Sequence, residues 1–137
     1  MSDPELSPAV VLIFLNKTKV LLEKRPAADE YPAAALFPGG KVEEIDLNIV
    51  DCLIREVREE LGITPLWFKE IPQSDITLSP TGRIMYPFYV TVYNGDLPDK
   101  ILDKGYPLFW EELDSIIDSP IPSVRKIALD FKEFLNK

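Results

Sequence analysis

The chain has 137 residues, 46% apolar and 28% charged, which is enough for one domain (residues 1–137) with its own core. Its net charge of −8 argues against a nucleic-acid surface, which needs clustered Lys and Arg. One cysteine rules out an internal disulfide and suits a reducing cytoplasm. With no histidine, acid–base work falls to carboxylates, Lys, Tyr or metal-bound water. The opening MSDPELSP lacks a signal-peptide pattern and no apolar run reaches membrane-spanning length, so a cytoplasmic location without a membrane partner is expected.

In chain order, residues 9–15 form a β-rich run, and Asn16-Lys17-Thr18-Lys19 reads as a turn into residues 20–24, giving a hairpin. The Pro- and Ala-containing stretch 26–36 reads as a loop. A helix is expected over residues 47–61, with Asp46 or Asn48 as its N-cap and Gly62 at its left-handed end. Val50, Leu53, Ile54, Val57 and Leu61 form its apolar stripe. Short strands follow at 66–71 and 75–78, and 84–93 is the longest β-run, apolar on both faces and therefore central. A polar loop reaches to about Gly105, and residues 108–110 form a last short strand before a brief helix that starts at Trp110. Val124, Ile127, Ala128, Phe131, Phe134 and Leu135 mark a C-terminal amphipathic helix. This order predicts an α/β fold of packed helix, mixed-sheet and helix layers.

The most specific segment is Arg55-Glu56-Val57-Arg58-Glu59-Glu60-Leu61-Gly62. On a helix, Glu56, Glu59 and Glu60 stand at i, i+3 and i+4, so their carboxylates share one face and repel one another unless cations lie between them. A hard divalent ion that prefers oxygen ligands answers that need. Alone, such a segment reads as a solvated helix face. The preceding Phe37-Pro38-Gly39-Gly40-Lys41 changes the reading, because two permissive glycines there can bring backbone carbonyls to a metal shell. Cys52 falls on the carboxylate side and is expected to be a small buried side chain.

Turn and helix together resemble the Nudix box, Gx5Ex7REUxEExGU with U a bulky aliphatic. From Gly40 the match runs through Arg55, Glu56, Val57, Glu59, Glu60, Gly62 and Ile63. It departs at Asp46, which stands where the family has Glu and lies one residue further from Arg55; the shorter acid with the longer spacing can reach the same place. The resemblance implies a Nudix-type α/β/α sandwich with a mixed central β-sheet. It also implies hydrolysis of a nucleoside diphosphate linked to another moiety, with Mg2+ or Mn2+ as cofactor and a small nucleotide-type molecule as partner. The metal ligands it implies are Glu56, Glu59, Glu60 and the backbone carbonyl of Gly39. Glu56 is the expected general base, with Asp96, Asp99 and Asp103 of a later loop as alternatives. Arg55 is expected to orient Glu59 through an i, i+4 pair. Homodimers are common in the family, and the sequence leaves the oligomeric state open.

Around this centre, Arg25 ends the second strand and can clamp a phosphate bidentately, or serve as a solubilising edge charge; Lys41 is a second phosphate candidate. Trp67, Tyr86, Phe88, Tyr89 and Trp110 are expected in the core rather than on a base-stacking wall. A narrower resemblance, to coenzyme A diphosphatases, rests on Leu21-Leu22-x-x-Arg25, Phe37-Pro38-Gly39-Gly40, the Asp46 spacing, and Ser79-Pro80-Thr81-Gly82 before Pro87-Phe88. Glu30 and Ala34 stand near where that subfamily has Arg and Gly. Nucleoside triphosphate or ADP-ribose-type cleavage, or a ligand-binding module without catalysis, are the alternatives.

Overall fold

The computed structural model describes residues 7–26 and 34–137. Strand β1 (Ala9–Ile13) is AVVLI, buried along its whole length, as befits a strand with structure on both faces. It pairs in parallel with β8 (Ile84–Asn94) and antiparallel with β5 (Gly39–Lys41). On the far side of β8, β6 (Thr64–Glu70) forms an antiparallel edge and β7 (Thr77–Leu78) pairs with its first residues. The register of β6 shifts on both sides of Trp67. Among the described residues the result is a mixed five-stranded sheet with β8 in its interior, as its apolar run predicts.

A second, antiparallel sheet centres on β3 (Lys19–Arg25), flanked by β2 (Leu15–Asn16), β4 (Ala34–Leu36) and β9 (Leu108–Glu112). Side-chain alternation divides the core. Val10, Leu12, Phe14 and Leu21 pack with Cys52, Leu53, Val57 and Leu61 of α1 (Ile49–Leu61). Val11, Ile13, Val20 and Leu22 pack with Val124, Ile127, Ala128 and Phe131 of α3 (Pro122–Leu135), beside the short α2 (Leu113–Ile116). Helices therefore cover both faces, the expected α/β/α arrangement. Among the described residues no helix is long and apolar enough to cross a membrane.

Several local expectations change. Residues 9–15 and 20–24 do not form one hairpin, because the chain passes between sheets at Phe14. Only Leu15–Asn16 pairs back on Lys19–Val20, across a turn in which Lys17 has φ 60°. Of the expected 26–36 loop, residues 34–36 are a strand, since β3 offers them a partner; residues 27–33, Glu30 included, lie outside the described residues. Trp110 does not open a helix: pairing with Leu21 keeps it in β9, and α2 starts at Leu113.

Helix α1 is capped by Asn48, whose side chain accepts the Asp51 N–H at 2.9 Å, and ends at Gly62 with φ 68°. Its buried face is rotated from the expected stripe. Val50 is 37% exposed, while Cys52, Glu56 and Glu60 are buried. The approach of β5 to the helix encloses that side and carries two carboxylates inward.

Candidate active site

The contact between β5 and α1 is possible because β5 is glycine. A Cβ on Gly39 would overlap the Val10 carbonyl oxygen, and one on Gly40 would overlap the Glu56 carboxylate. Glu56 thus lies against bare backbone at the floor of a cleft of about 520 Å3. Gly39, Gly40, Glu56, Glu59, Glu60, Arg25 and Lys41 all line this one cleft, so the residues singled out in the sequence come together. Of the later-loop acids, Asp103 lines it and Asp96 and Asp99 do not.

Arg55 organises the carboxylates. Its Nε and Nη2 donate to the two oxygens of Asp46 at 2.8 and 2.7 Å, a bidentate pair. Nη1 donates to Glu56 Oε1 at 2.9 Å and Glu59 Oε2 at 3.1 Å, and Nη2 also donates to the Lys41 carbonyl at 3.1 Å. Asp46 therefore reaches the arginine despite its shorter side chain and extra residue. A tight turn takes up the insertion: the Asp46 N–H donates to the Glu43 carbonyl, and the Glu43 N–H to Asp46 Oδ2, both at 2.9 Å. The arginine holds the Asp46 carboxyl at a pKa of about 2. The same partners, Asp46 first, raise that of the guanidinium itself.

The remaining carboxylates are less well compensated. Burial pushes the Glu56 pKa up, and the charge and hydrogen bond of Arg55 oppose that rise only in part. Glu60 rises to about 8, first through burial and then through Asp103, with which it shares a hydrogen bond, and through the charges of Glu56 and Glu23. Glu59 stays outward, its side chain 55% exposed. Among the described residues no three acidic or thiol side chains already converge closely enough to enclose an ion, since Glu56 and Glu59 are both drawn to Arg55. The donor set is nonetheless suited to a hard divalent cation: every side-chain donor is oxygen, and two of the carboxylates that line the cleft are buried.

Glu23 is a participant that sequence reasoning missed. It is 2% exposed on β3, and burial raises its pKa against the pull of Arg25. Period-2 alternation puts it on the face shared by Leu21 and Arg25, the side toward α1. An acid inside an apolar strand was the available signal. Arg25 Nη2 donates to Glu23 Oε1 at 3.2 Å, and its guanidinium lies 5.7 Å from the Tyr106 ring centroid.

Of the five strand aromatics considered for stacking, none lines the cleft. Tyr86, Phe88, Tyr89 and Trp110 belong to or pack on the two core clusters, whereas Trp67 on the edge strand is 70% exposed. Cys52 is fully buried, and burial first, then Asp46, pushes its thiol up to about 12. Iodoacetamide at pH 8 is therefore expected to leave the folded protein unmodified and to label it only in denaturant, as intact-mass spectrometry would show. Rapid labelling of the native chain would contradict this placement.

The NUDIX domain pattern matches residues 5–127. The chain is 28% identical over 124 residues to the Nudix hydrolase NudL of Enterobacter sp. (strain 638), covering 88% of this chain and 60% of that protein. It is 34% identical over 90 residues to the CTP pyrophosphohydrolase of Escherichia coli K12, covering 64% of each. It thus spans less than two thirds of the length of these relatives. In structure it is similar to the E. coli ORF135 protein, with a TM-score of 0.70 and 28% identity over 93% of this chain and 89% of that one. With the signature helix and its glycine strand both inside the matched span, the chain belongs to the NUDIX family.

Proposed function

We propose that this chain is a divalent-metal-dependent hydrolase of the diphosphate bond in a nucleoside diphosphate linked to another moiety. The observation that carries the proposal is the burial of Glu56 and Glu60 at the floor of a cleft whose rim holds Arg25 and Lys41. Diphosphate oxygens are strongly anionic, and an acidic wall accepts them only with cations between. Glu56, Glu59 and Glu60, with the Gly39 carbonyl, would hold Mg2+ or Mn2+, which when bound neutralises phosphate charge and acidifies water.

The chain's own groups do the rest. Arg25 and Lys41 bind and orient non-bridging phosphate oxygens. Glu56, fixed by Arg55 and by its seat on Gly40, takes the proton from the attacking water. Water oxygen bonds to phosphorus, the bridging P–O bond breaks, and its electron pair leaves with the second phosphate. Asp103 is the second candidate base, favoured over Asp96 and Asp99 because it alone of the three faces the cleft beside Glu60.

For substrate, coenzyme A or a derivative is the reading that the Leu21–Arg25 and Ser79–Gly82 segments support. The name of the matched E. coli relative points instead to a nucleoside triphosphate. Incubation with Mg2+ or Mn2+ and coenzyme A, CTP, 8-oxo-dGTP and ADP-ribose decides between them. Release of 4′-phosphopantetheine supports the first; cleavage of none of the four overturns the hydrolase reading.

Gly40→Ala tests the geometry. The added methyl must displace the Glu56 carboxylate, so turnover on the best substrate is expected to fall at least about tenfold. Circular dichroism should stay native. A fully active variant would place the proton acceptor elsewhere.

A further inference from the structure

Strand β3 ends in a pair of charges of very unequal exposure. Glu23 and Arg25 are two residues apart, so the pleat puts both on the face turned toward α1. The glutamate side chain is 3% exposed and that of the arginine 42%. Arg25 Nη2 donates to Glu23 Oε1 at 3.2 Å. Among the described residues this is the one hydrogen bond of the arginine, and its Nε–H is buried without an acceptor. The guanidinium also lies over the Tyr106 ring. That ring packs on the apolar cluster beneath α1, and the Tyr106 carbonyl accepts the Ile101 N–H at 2.8 Å, so the surface under the arginine is anchored.

Stability does not account for this pair. Burial, the largest influence on Glu23, holds its pKa above the ordinary carboxylate value, against the charge and hydrogen bond of Arg25 and the charge of Lys104. Its strand neighbours Val20, Leu21 and Leu22 are all buried, and an ion pair in such surroundings contributes less stability than apolar side chains of similar volume. What the carboxylate supplies is a competitor for the arginine. Glu59, Glu60 and Asp103 line the same cleft as Arg25, and a long cationic side chain free to move would be drawn onto them. There it would neutralise acids needed by a metal ion and leave the phosphates without a donor. A buried acceptor on the arginine's own strand holds it back.

We infer that Glu23 is a positioning residue for phosphate binding: with the Tyr106 ring it fixes the Arg25 guanidinium at the cleft wall, clear of Glu59 and Glu60, with donors left for a diphosphate oxygen. The inference rests on the hydrolase reading with Arg25 as its anion clamp, and adds the group that aims the clamp.

A double-mutant cycle tests it. Methylenediphosphonate, a diphosphate analogue whose P–C–P bridge resists hydrolysis, is titrated with Mg2+ into the full chain by isothermal calorimetry. Glu23→Leu should weaken binding about tenfold while melting at or above the temperature of the parent. Arg25→Ala should weaken binding at least as much, and adding Glu23→Leu to it should cause no further loss, since the glutamate acts through the arginine. Glu23→Gln keeps an acceptor oxygen and should recover most of the affinity. On the best substrate, Glu23→Leu should raise KM about tenfold and change kcat by less than about threefold. If Glu23→Leu does not fold, Glu23→Ala takes its place in the cycle. Unchanged affinity, additive losses, or a lower melting temperature in every Glu23 variant would overturn the positioning role. A parent protein that neither binds the analogue nor cleaves coenzyme A, CTP, 8-oxo-dGTP or ADP-ribose loses the hydrolase reading and the clamp with it. A parent that cleaves one of them while the cycle is additive loses the positioning role alone.

Discussion

Glu60→Gln is expected to lower kcat about a hundredfold or more while making the metal-free protein more stable at pH 8. Both effects come from one property of the side chain. Burial, the Asp103 carboxyl and the charges of Glu56 and Glu23 hold its proton up to a pKa of about 8, against an ordinary 4.5. The folded chain therefore binds that proton more tightly than the unfolded chain does. Its contribution to stability is complete below about 4.5 and is lost as pH rises through about 8. Gln keeps the shape without the charge, so the variant should lose much of this decline. Melting curves at pH 5 and pH 8 in the presence of a chelator, for both proteins, measure it. Added Mg2+ should raise the melting temperature of the native sequence at pH 8 and have little effect on the variant. Glu59→Gln should cost less turnover, because its side chain is 55% exposed and positioned through Arg55. An active Glu60→Gln protein, or one whose pH dependence of melting matches the parent, would remove Glu60 from the site.

Arg55→Ala is expected to destabilise the fold by about 3 kcal/mol, lowering the melting temperature by on the order of 10 °C, and to abolish turnover as well. The arginine side chain is 15% exposed and faces Asp46 and Glu56 side chains that are 2% and 7% exposed. Removing it leaves two carboxylates with little water and no cation, and frees the turn at residues 43–46 that hangs on the Asp46 pair. Lysine should not rescue the loss, since an ammonium cannot reproduce the fork that bonds both Asp46 oxygens while also reaching Glu56. Differential scanning calorimetry of the Ala and Lys variants tests this. A melting temperature within a degree or two of the parent in Arg55→Ala would mean that the network is a surface feature of small consequence.

The difference between what could be read ahead and what could not follows contact range. The limits of α1, its glycine terminator and the carboxylate spacing are local properties, visible in 3.6-residue periodicity and cap chemistry. The interior place of β8 and the apolar face of α3 follow from the lengths and patterns of their runs. The inward turn of Glu56 and Glu60 was not visible, because β5 encloses that helix face from residues nearer the N-terminus. Strand β4 was read as loop because only its pairing with β3 makes it a strand. Glu23 comes from a strand far from α1 in sequence, and its burial with its charge close to Glu60 sets it apart from ordinary charged residues.

The irregular pairing around Trp67 has a consequence for how the molecule behaves in company. A straight outer strand offers a neighbouring polypeptide a ready template, the route by which sheets grow into fibres. The two register shifts that bracket Trp67 interrupt that ladder midway along β6. A large indole therefore stands in water beside a broken ladder, which is a poorer template for strand addition than a straight edge.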